Sequence, residues 1–211
     1  MIKELNIFGD IVSDKWYDDD VTLSDVQKKI QGLTVNDELN VNINCYGGEV
    51  FAAVAISNII SNSPAKKTFN VLGICASAAT ILFNETDTVN ISKGAMMMYH
   101  KPLAGCRGNA NDFRREIEIL DKIENENIIK NLLARTKKPI DELTKLITDE
   151  WWLTSDEAIL NLGFISTGAS AIENRAKTKQ ENIYKNYIEK KKALNVNAFK
   201  QFTNFKKQLH K

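Results

Sequence analysis

The sequence predicts an α/β fold with largely parallel strands, and three observations carry the prediction. An alternating segment, Leu39-Asn40-Val41-Asn42-Ile43-Asn44, runs through Cys45-Tyr46 into the pair Gly47-Gly48 and then into an apolar stretch of helical length, Val50 to Ile60. The same order recurs where the β-rich run Phe69 to Ile74 stops at a cluster of small residues and an apolar run resumes over Ala78 to Phe83, which reads as a buried helix. Two short strands follow, Thr88 to Ile91 and Ala95 to Tyr99, and the second ends at His100. Strand and helix signals that alternate in this way imply crossover connections and hence parallel pairing.

The remaining elements are read in chain order. Leu5 to Gly9 is a short strand closing in a turn, and Leu23 to Ile30 has helical spacing behind a serviceable N-cap. Asn62-Ser63-Pro64 closes the first apolar helix. Leu103 to Ala110 is too glycine-rich for a buried strand and reads as an exposed extended arm. Asn111 or Asp112 then caps a long amphipathic helix to about Arg135, with Phe113, Ile117, Leu120, Ile123 and Ile128 at roughly helical spacing. Pro139 starts a shorter helix over Ile140 to Ile147, and Thr154-Ser155-Asp156-Glu157 opens another that ends at Gly163.

Composition narrows the class. A chain of 211 residues with 43% hydrophobic content buries a sizeable core. Its formal net charge of +1 conceals an asymmetry: residues 173–211 carry 11 Lys and Arg against 3 Glu, which leaves residues 1–172 net acidic by 7. The expected organisation is therefore a folded domain over 1–172 and a basic, partly helical tail over 173–211. Aromatic residues interleave the tail, which suits an acidic partner as well as it suits a solvated appendage. No run approaches the roughly 18 apolar residues of a membrane span, and Met1 to Asp10 lacks the apolar stretch of a signal peptide, so a cytoplasmic protein is expected. The cysteines Cys45, Cys75 and Cys106 are odd in number and form no CxxC pair, which argues against a disulfide framework and a metal site.

The candidate chemistry centres on Ser77, at the junction between the run ending in Cys75-Ala76 and the small residues after it. Backbone N–H groups at the start of a helix favour an anion forming beside such a serine. A plain N-cap serine fits the same position. His100, at a strand end before Lys101-Pro102, is either structural or the base that activates the serine. Asp149 and Glu150 precede Trp151-Trp152, whose burial would hold an adjacent acid against the core; the alternative for both acids is a solvated loop. Cys75 lies two residues before Ser77 and reads as a small buried hydrophobe, not as a nucleophile.

Taken together, these segments resemble the ClpP-type serine peptidases, and among them most closely the shorter ClpP-like prohead (head maturation) proteases of phages and prophages. Over residues 5–168 the family's Asn-Ser-Pro-Gly-Gly strand end appears as Asn44-Cys45-Tyr46-Gly47-Gly48, its nucleophile turn as Ala76-Ser77-Ala78, and its base segment as Tyr99-His100-Lys101-Pro102. The glycine-rich arm appears as Leu103-Ala104-Gly105-Cys106-Arg107-Gly108, and the aromatic helix start as Trp152-Leu153-Thr154-Ser155-Asp156-Glu157-Ala158.

The resemblance implies a ClpP/crotonase-like spiral of β-β-α units with an exposed arm and a long handle helix. It makes Ser77 the nucleophile and His100 the base, with the N–H groups of Gly48 and Ala78 as oxyanion hole. Gapless matching puts Glu150, ahead of Asp149, on the acid position. Gly47, Glu49, Leu103, Ala104 and Gly105 fall on positions that hold an extended polypeptide substrate. No cofactor and no metal are implied. The implied assembly is a homo-oligomeric ring, a heptamer or double heptamer meeting through the handle helix, with capsid or scaffold proteins as substrates in host cytoplasm or procapsid. The family's housekeeping members carry a leading segment that helps dock a Clp ATPase; the first strand here begins by Leu5, so ATPase-independent cleavage is expected. The alternatives are a housekeeping proteolytic subunit that works with an ATPase, a catalytically silent ring-forming component, and an acyl-CoA hydratase or isomerase of the same broad fold.

Overall fold

A computed structural model describes residues 1–167, which belong to one compact unit. The expected basic tail lies outside the described residues. The chain runs β1 (Ile2–Ile7), α1 (Leu23–Ile30), β2 (Glu38–Cys45), α2 (Val50–Ser61), β3 (Lys66–Ala76), a 3₁₀ turn (Ser77–Ile81), β4 (Val89–Ser92) and β5 (Met96–Tyr99). It continues through α3 (Ala110–Ile123), a π-turn (Glu124–Ile129), α4 (Lys130–Arg135), α5 (Ile140–Thr148), β6 (Trp151–Thr154), α6 (Ser155–Leu162) and β7 (Ile165–Thr167).

The strands order as β1-β2-β3-β4-β7, all parallel, while β5 lies beside the far end of β3 and pairs antiparallel with β6. The length of β3 makes this branching possible. Its first half pairs with β4 through Phe69↔Val89 to Val71↔Ile91, and its second half pairs with β5 through Ile74↔Met96 to Ala76↔Met98.

Alternation along β2 explains both faces of the sheet. Leu39, Val41 and Ile43 are fully buried with Leu5, Ile7, Phe69, Val71, Val89 and Ile91. Each such side chain contributes about 1.5–3 kcal/mol of burial free energy. The opposite face would be expensive to leave bare in a parallel sheet, whose faces are normally both covered. Here it carries a ladder of amides in register: Asn42 donates to Asn6 at 3.0 Å, Asn70 to Asn42 at 3.0 Å and Asn90 to Asn70 at 2.8 Å. Asn40 and Asn42 also donate to Glu4, and these bonds hold its carboxyl below the usual range.

Capping boxes start three helices. Thr22 with Asp25, Asn109 with Asp112 and Thr154 with Glu157 each satisfy two backbone donors reciprocally, a device worth about 1 kcal/mol per cap. The α3 cap is thus Asn109, ahead of the expected Asn111 or Asp112. The reason is that Asn109 accepts the N–H groups of both those residues.

Three further expectations are revised. The apolar run Ala78 to Phe83 forms only a short 3₁₀ turn, tightened by the Thr80 hydroxyl donating to Ser77 O at 2.7 Å. The long helix is interrupted at Glu124–Ile129, where Asn125 donates to Asp121 O at 2.8 Å and Asn127 to Ile123 O at 3.4 Å. Side-chain amides that compete for helix carbonyls loosen the i→i−4 ladder. Trp151–Thr154 and Ile165–Thr167, unassigned from sequence, are strands because β5 and β4 supply them with partners.

Candidate active site

The carboxyl ends of β2, β3 and β5 meet at one place. Because Ala76 pairs with Met98, the chain leaves β3 into Ser77 beside the residues that lead from Tyr99 into His100. Ser77 takes φ 55, a left-handed value unusual for serine, and its Oγ lies 2.6 Å from His100 Nε2. A strained residue at a sharp strand exit projects its hydroxyl away from the strand. Both side chains are half-buried, accessible but with much of their bulk water removed.

The glycine pair closes on this turn from β2. A Cβ on Gly47 (φ 116) would stand 2.7 Å from Ser77 Cβ and 3.0 Å from Ala78 N, so only glycine lets the two turns touch. Gly48 (φ 142) is pressed against the Ile11 backbone. Ile11 N–H donates to Gly47 O and Glu49 N–H donates to Ile11 O, both at 2.8 Å, so Ile11 braces the turn from outside. Glu49 is tied further by its carboxylate, which accepts the Ser13 N–H at 3.1 Å and the Ser13 hydroxyl. Cys45 Sγ accepts the Gly47 N–H at 3.3 Å. Neither Ile11, Ser13 nor Cys45 was singled out from sequence for this bracing; the one legible cue was the replacement of Ser-Pro by Cys45-Tyr46.

Strand β6 leads the candidate acids toward the site: its antiparallel register with β5, Met98↔Trp152 and Tyr99↔Trp151, ends one residue short of His100 on one strand and of Glu150 on the other. On the other side of His100, Lys101 N–H donates to Ile147 O at 3.2 Å. The segment 147–151 is therefore pinned on both sides of His100 and carries both candidate acids, of which Glu150, at φ 59, is half-buried. Asp149 is exposed and serves as the C-cap of α5. Trp151 packs on Tyr99 with ring centroids 6.0 Å apart, so the pair that brackets the site is also apolar glue.

The thiols nearby are poor nucleophiles. Burial pushes the Cys45 thiol up to about 12 and the Cys75 thiol well above its ordinary value. Leu103, Ala104 and Gly105 are exposed on an irregular stretch with no sheet partner, as an arm awaiting a strand would be. Among the described residues no group of three or more His, Cys, Asp or Glu side chains could hold a metal ion. Nor is any described helix long and apolar enough to cross a membrane.

This geometry meets an independent finding. The family model described as Clp protease matches residues 15–168. The chain belongs to the Clp protease family. It is 29% identical over 119 residues to the ATP-dependent Clp protease proteolytic subunit 3 of Rhodococcus jostii, which covers 55% of this chain and 58% of that protein. It is likewise 29% identical over 133 residues to the ATP-dependent Clp protease proteolytic subunit 2 of Borreliella burgdorferi, covering 61% of this chain and 66% of the relative. The match thus spans roughly six tenths of the length of such curated relatives. Among solved structures, a ClpP1 mutant from Listeria monocytogenes superposes with a TM-score of 0.64 over 83% of this chain and 94% of that one, at 21% identity. The fold is therefore the ClpP-like one.

Proposed function

We propose that this chain is a serine endopeptidase that cleaves extended polypeptides through an acyl-enzyme. The observation that carries the reading is the 2.6 Å approach of Ser77 Oγ to His100 Nε2 at a turn built against Gly47. His100 takes the hydroxyl proton as Oγ attacks the peptide carbonyl carbon. The carbonyl oxygen, now anionic, is met by the N–H groups of Gly48 and Ala78. His100 then gives the proton to the leaving amine, and water, activated by the same imidazole, hydrolyses the ester. Glu150 accepts from the second ring nitrogen and keeps the tautomer correct, a role that its half-burial next to the Tyr99↔Trp151 pair supports. The substrate adds as a strand between Gly47 to Glu49 and Leu103 to Gly105, so main-chain bonds supply most of its affinity.

The same proposal includes a homo-oligomeric ring, a heptamer or double heptamer. Phe113 and Ile117, one turn apart on α3, are 45% and 58% exposed, an apolar stripe suited to a second copy. It also includes cleavage without an ATPase, as head maturation of a phage capsid or scaffold would need. The names of the relatives, ATP-dependent proteolytic subunits, favour a second reading in which an ATPase feeds this chain. One experiment tests the proposal and separates the two. Fluorophosphonate labelling of Ser77 is combined with native mass and with hydrolysis of an unstructured protein, with and without a Clp ATPase and ATP. The proposal expects a labelled ring whose rate ignores ATP. An unlabelled Ser77 sinks the peptidase, and degradation of a folded, tagged substrate only with ATPase and ATP establishes the second reading.

A further inference from the structure

We propose that the ion pair between Lys101 and Glu124 is a positioning device for the His100 imidazole, acting through the residue that follows it in the chain; the inference rests on the serine-peptidase reading. Strand β5 ends at Tyr99, and beyond Pro102 the chain enters the irregular arm. Lys101 is the anchor at that exit. Its N–H is held by Ile147 O at 3.2 Å, and its Nζ lies 3.1 Å from Glu124 Oε1. Without these ties the residue after the imidazole would fray with the arm, because a strand end with few buried contacts opens at little cost.

The choice of residue at 124 points the same way. Ile123 and Glu124, adjacent on the helix, are 8% and 9% exposed, so the helix gives an inward position to a carboxylate. Lys101 keeps 39% of its side chain exposed, and an ion pair open to water on one side contributes little to stability. Its stability therefore does not explain it. What the pair adds is a fixed direction: Glu124 opens the π-turn, and its carboxylate reaches back from the helix to the residue next to His100. Interrupted helix turns of this kind recur at functional sites. A displacement of the imidazole by even 1 Å costs about a hundredfold in rate.

The test replaces the pair by apolar residues, Lys101→Met with Glu124→Leu, in the full assembled chain, alongside Glu124→Gln and the conservative Lys101→Arg. Readouts are thermal unfolding, the rate of Ser77 labelling by a small fluorophosphonate, and kcat and KM on an unstructured peptide. We expect the double variant to unfold at the wild-type temperature with KM unchanged, while kcat and labelling rate both fall tenfold or more. Glu124→Gln should slow both with little change in unfolding, and Lys101→Arg should keep most of the rate. A folded double variant, or a folded Glu124→Gln, that labels at the wild-type rate overturns the proposal. So does a rise in KM with labelling unchanged, which would assign the pair to the arm alone. A wild-type chain that resists labelling overturns the peptidase reading itself, and that result is visible before any variant is made.

Discussion

Replacing Gly47 by alanine probes the site more sharply than removing a catalytic side chain, because the structure sets its consequence. The new Cβ would stand 2.7 Å from Ser77 Cβ, 2.9 Å from Ala76 O and 3.0 Å from Ala78 N, against three rigid groups and no flexible side chain. At φ 116 the alanine is also conformationally strained, at a cost of about 1–3 kcal/mol. The turns must separate, which on the proposed mechanism moves the Gly48 and Ala78 N–H groups from the place where the oxyanion forms. Loss of one oxyanion donor lowers kcat by about 10²–10³-fold, and a displaced pair should lose at least as much. Gly94 is the control. Its φ of 85 imposes a similar backbone penalty, about 1–2 kcal/mol, yet nothing lies within 4 Å of its added Cβ. Peptide hydrolysis and fluorophosphonate labelling, each with thermal unfolding, should show both variants destabilised and only Gly47→Ala slowed. Wild-type kcat in a folded Gly47→Ala chain would refute the contact between glycine turn and nucleophile turn as the basis of activity.

Other outcomes follow from the same geometry. Ser77→Ala should abolish hydrolysis and labelling while the unfolding temperature is unchanged, and His100→Ala should lose nearly as much, with losses that do not add in the double variant, as kinetics on all three would reveal. Glu150→Gln should lower kcat by orders of magnitude, whereas Asp149→Asn, altering an exposed helix cap, should be mild; the reverse ranking in steady-state assays would hand the acid role to Asp149. The buried thiols predict an alkaline limit. An unfolded chain ionises Cys45 near 9.0, while the fold keeps it neutral to about 12. The folded state therefore binds the proton more tightly, and stability is intact below pH 9 and falls as pH climbs through that interval. Melting curves from pH 8 to 11 should show the decline, lessened by Cys45→Ala, and thiol reagents at pH 8 should leave hydrolysis by a Cys106→Ala chain untouched, since Cys45 and Cys75 are both buried.

What could be read from the sequence was whatever depends on local period. The alternation from Leu39 to Asn44 gave β2 almost to its ends, and Thr154 to Gly163 declared its helix by its cap and its left-handed terminator. The strand at Trp151–Thr154 has no such signature. Two tryptophans, a leucine and a threonine become a strand only because Met96 to Tyr99 lie alongside, a tertiary cause that no local pattern encodes. The Ala78 to Phe83 run misled in the opposite direction, because a continuous apolar segment marks burial without specifying a helix. At the site, residue types nominated Ser77, His100 and the pair Asp149-Glu150, but the 2.6 Å contact depends on the β3–β5 register, and the approach of the acidic pair to the site on the β5–β6 register.

The interrupted helix ties these registers together. Beyond the π-turn, Asn131 donates to Phe83 O at 2.9 Å, and Arg135 donates to Asn84 O while its guanidinium lies 5.3 and 5.4 Å from the ring centroids of Phe83 and Phe164. Those contacts back the segment that follows the nucleophile turn. At the start of the π-turn, Glu124 meets Lys101, the residue after His100. An uninterrupted α-helix advances about 100° per residue, so taking up the extra residue of the wide turn would rotate one of these contact sets away from its partners while the other stayed in place. The amides Asn125 and Asn127, which claim helix carbonyls and hold the turn open, let one helix address the serine side and the histidine side together. The interruption thus puts contacts to the segment after Ser77 and to the residue after His100 on one helix.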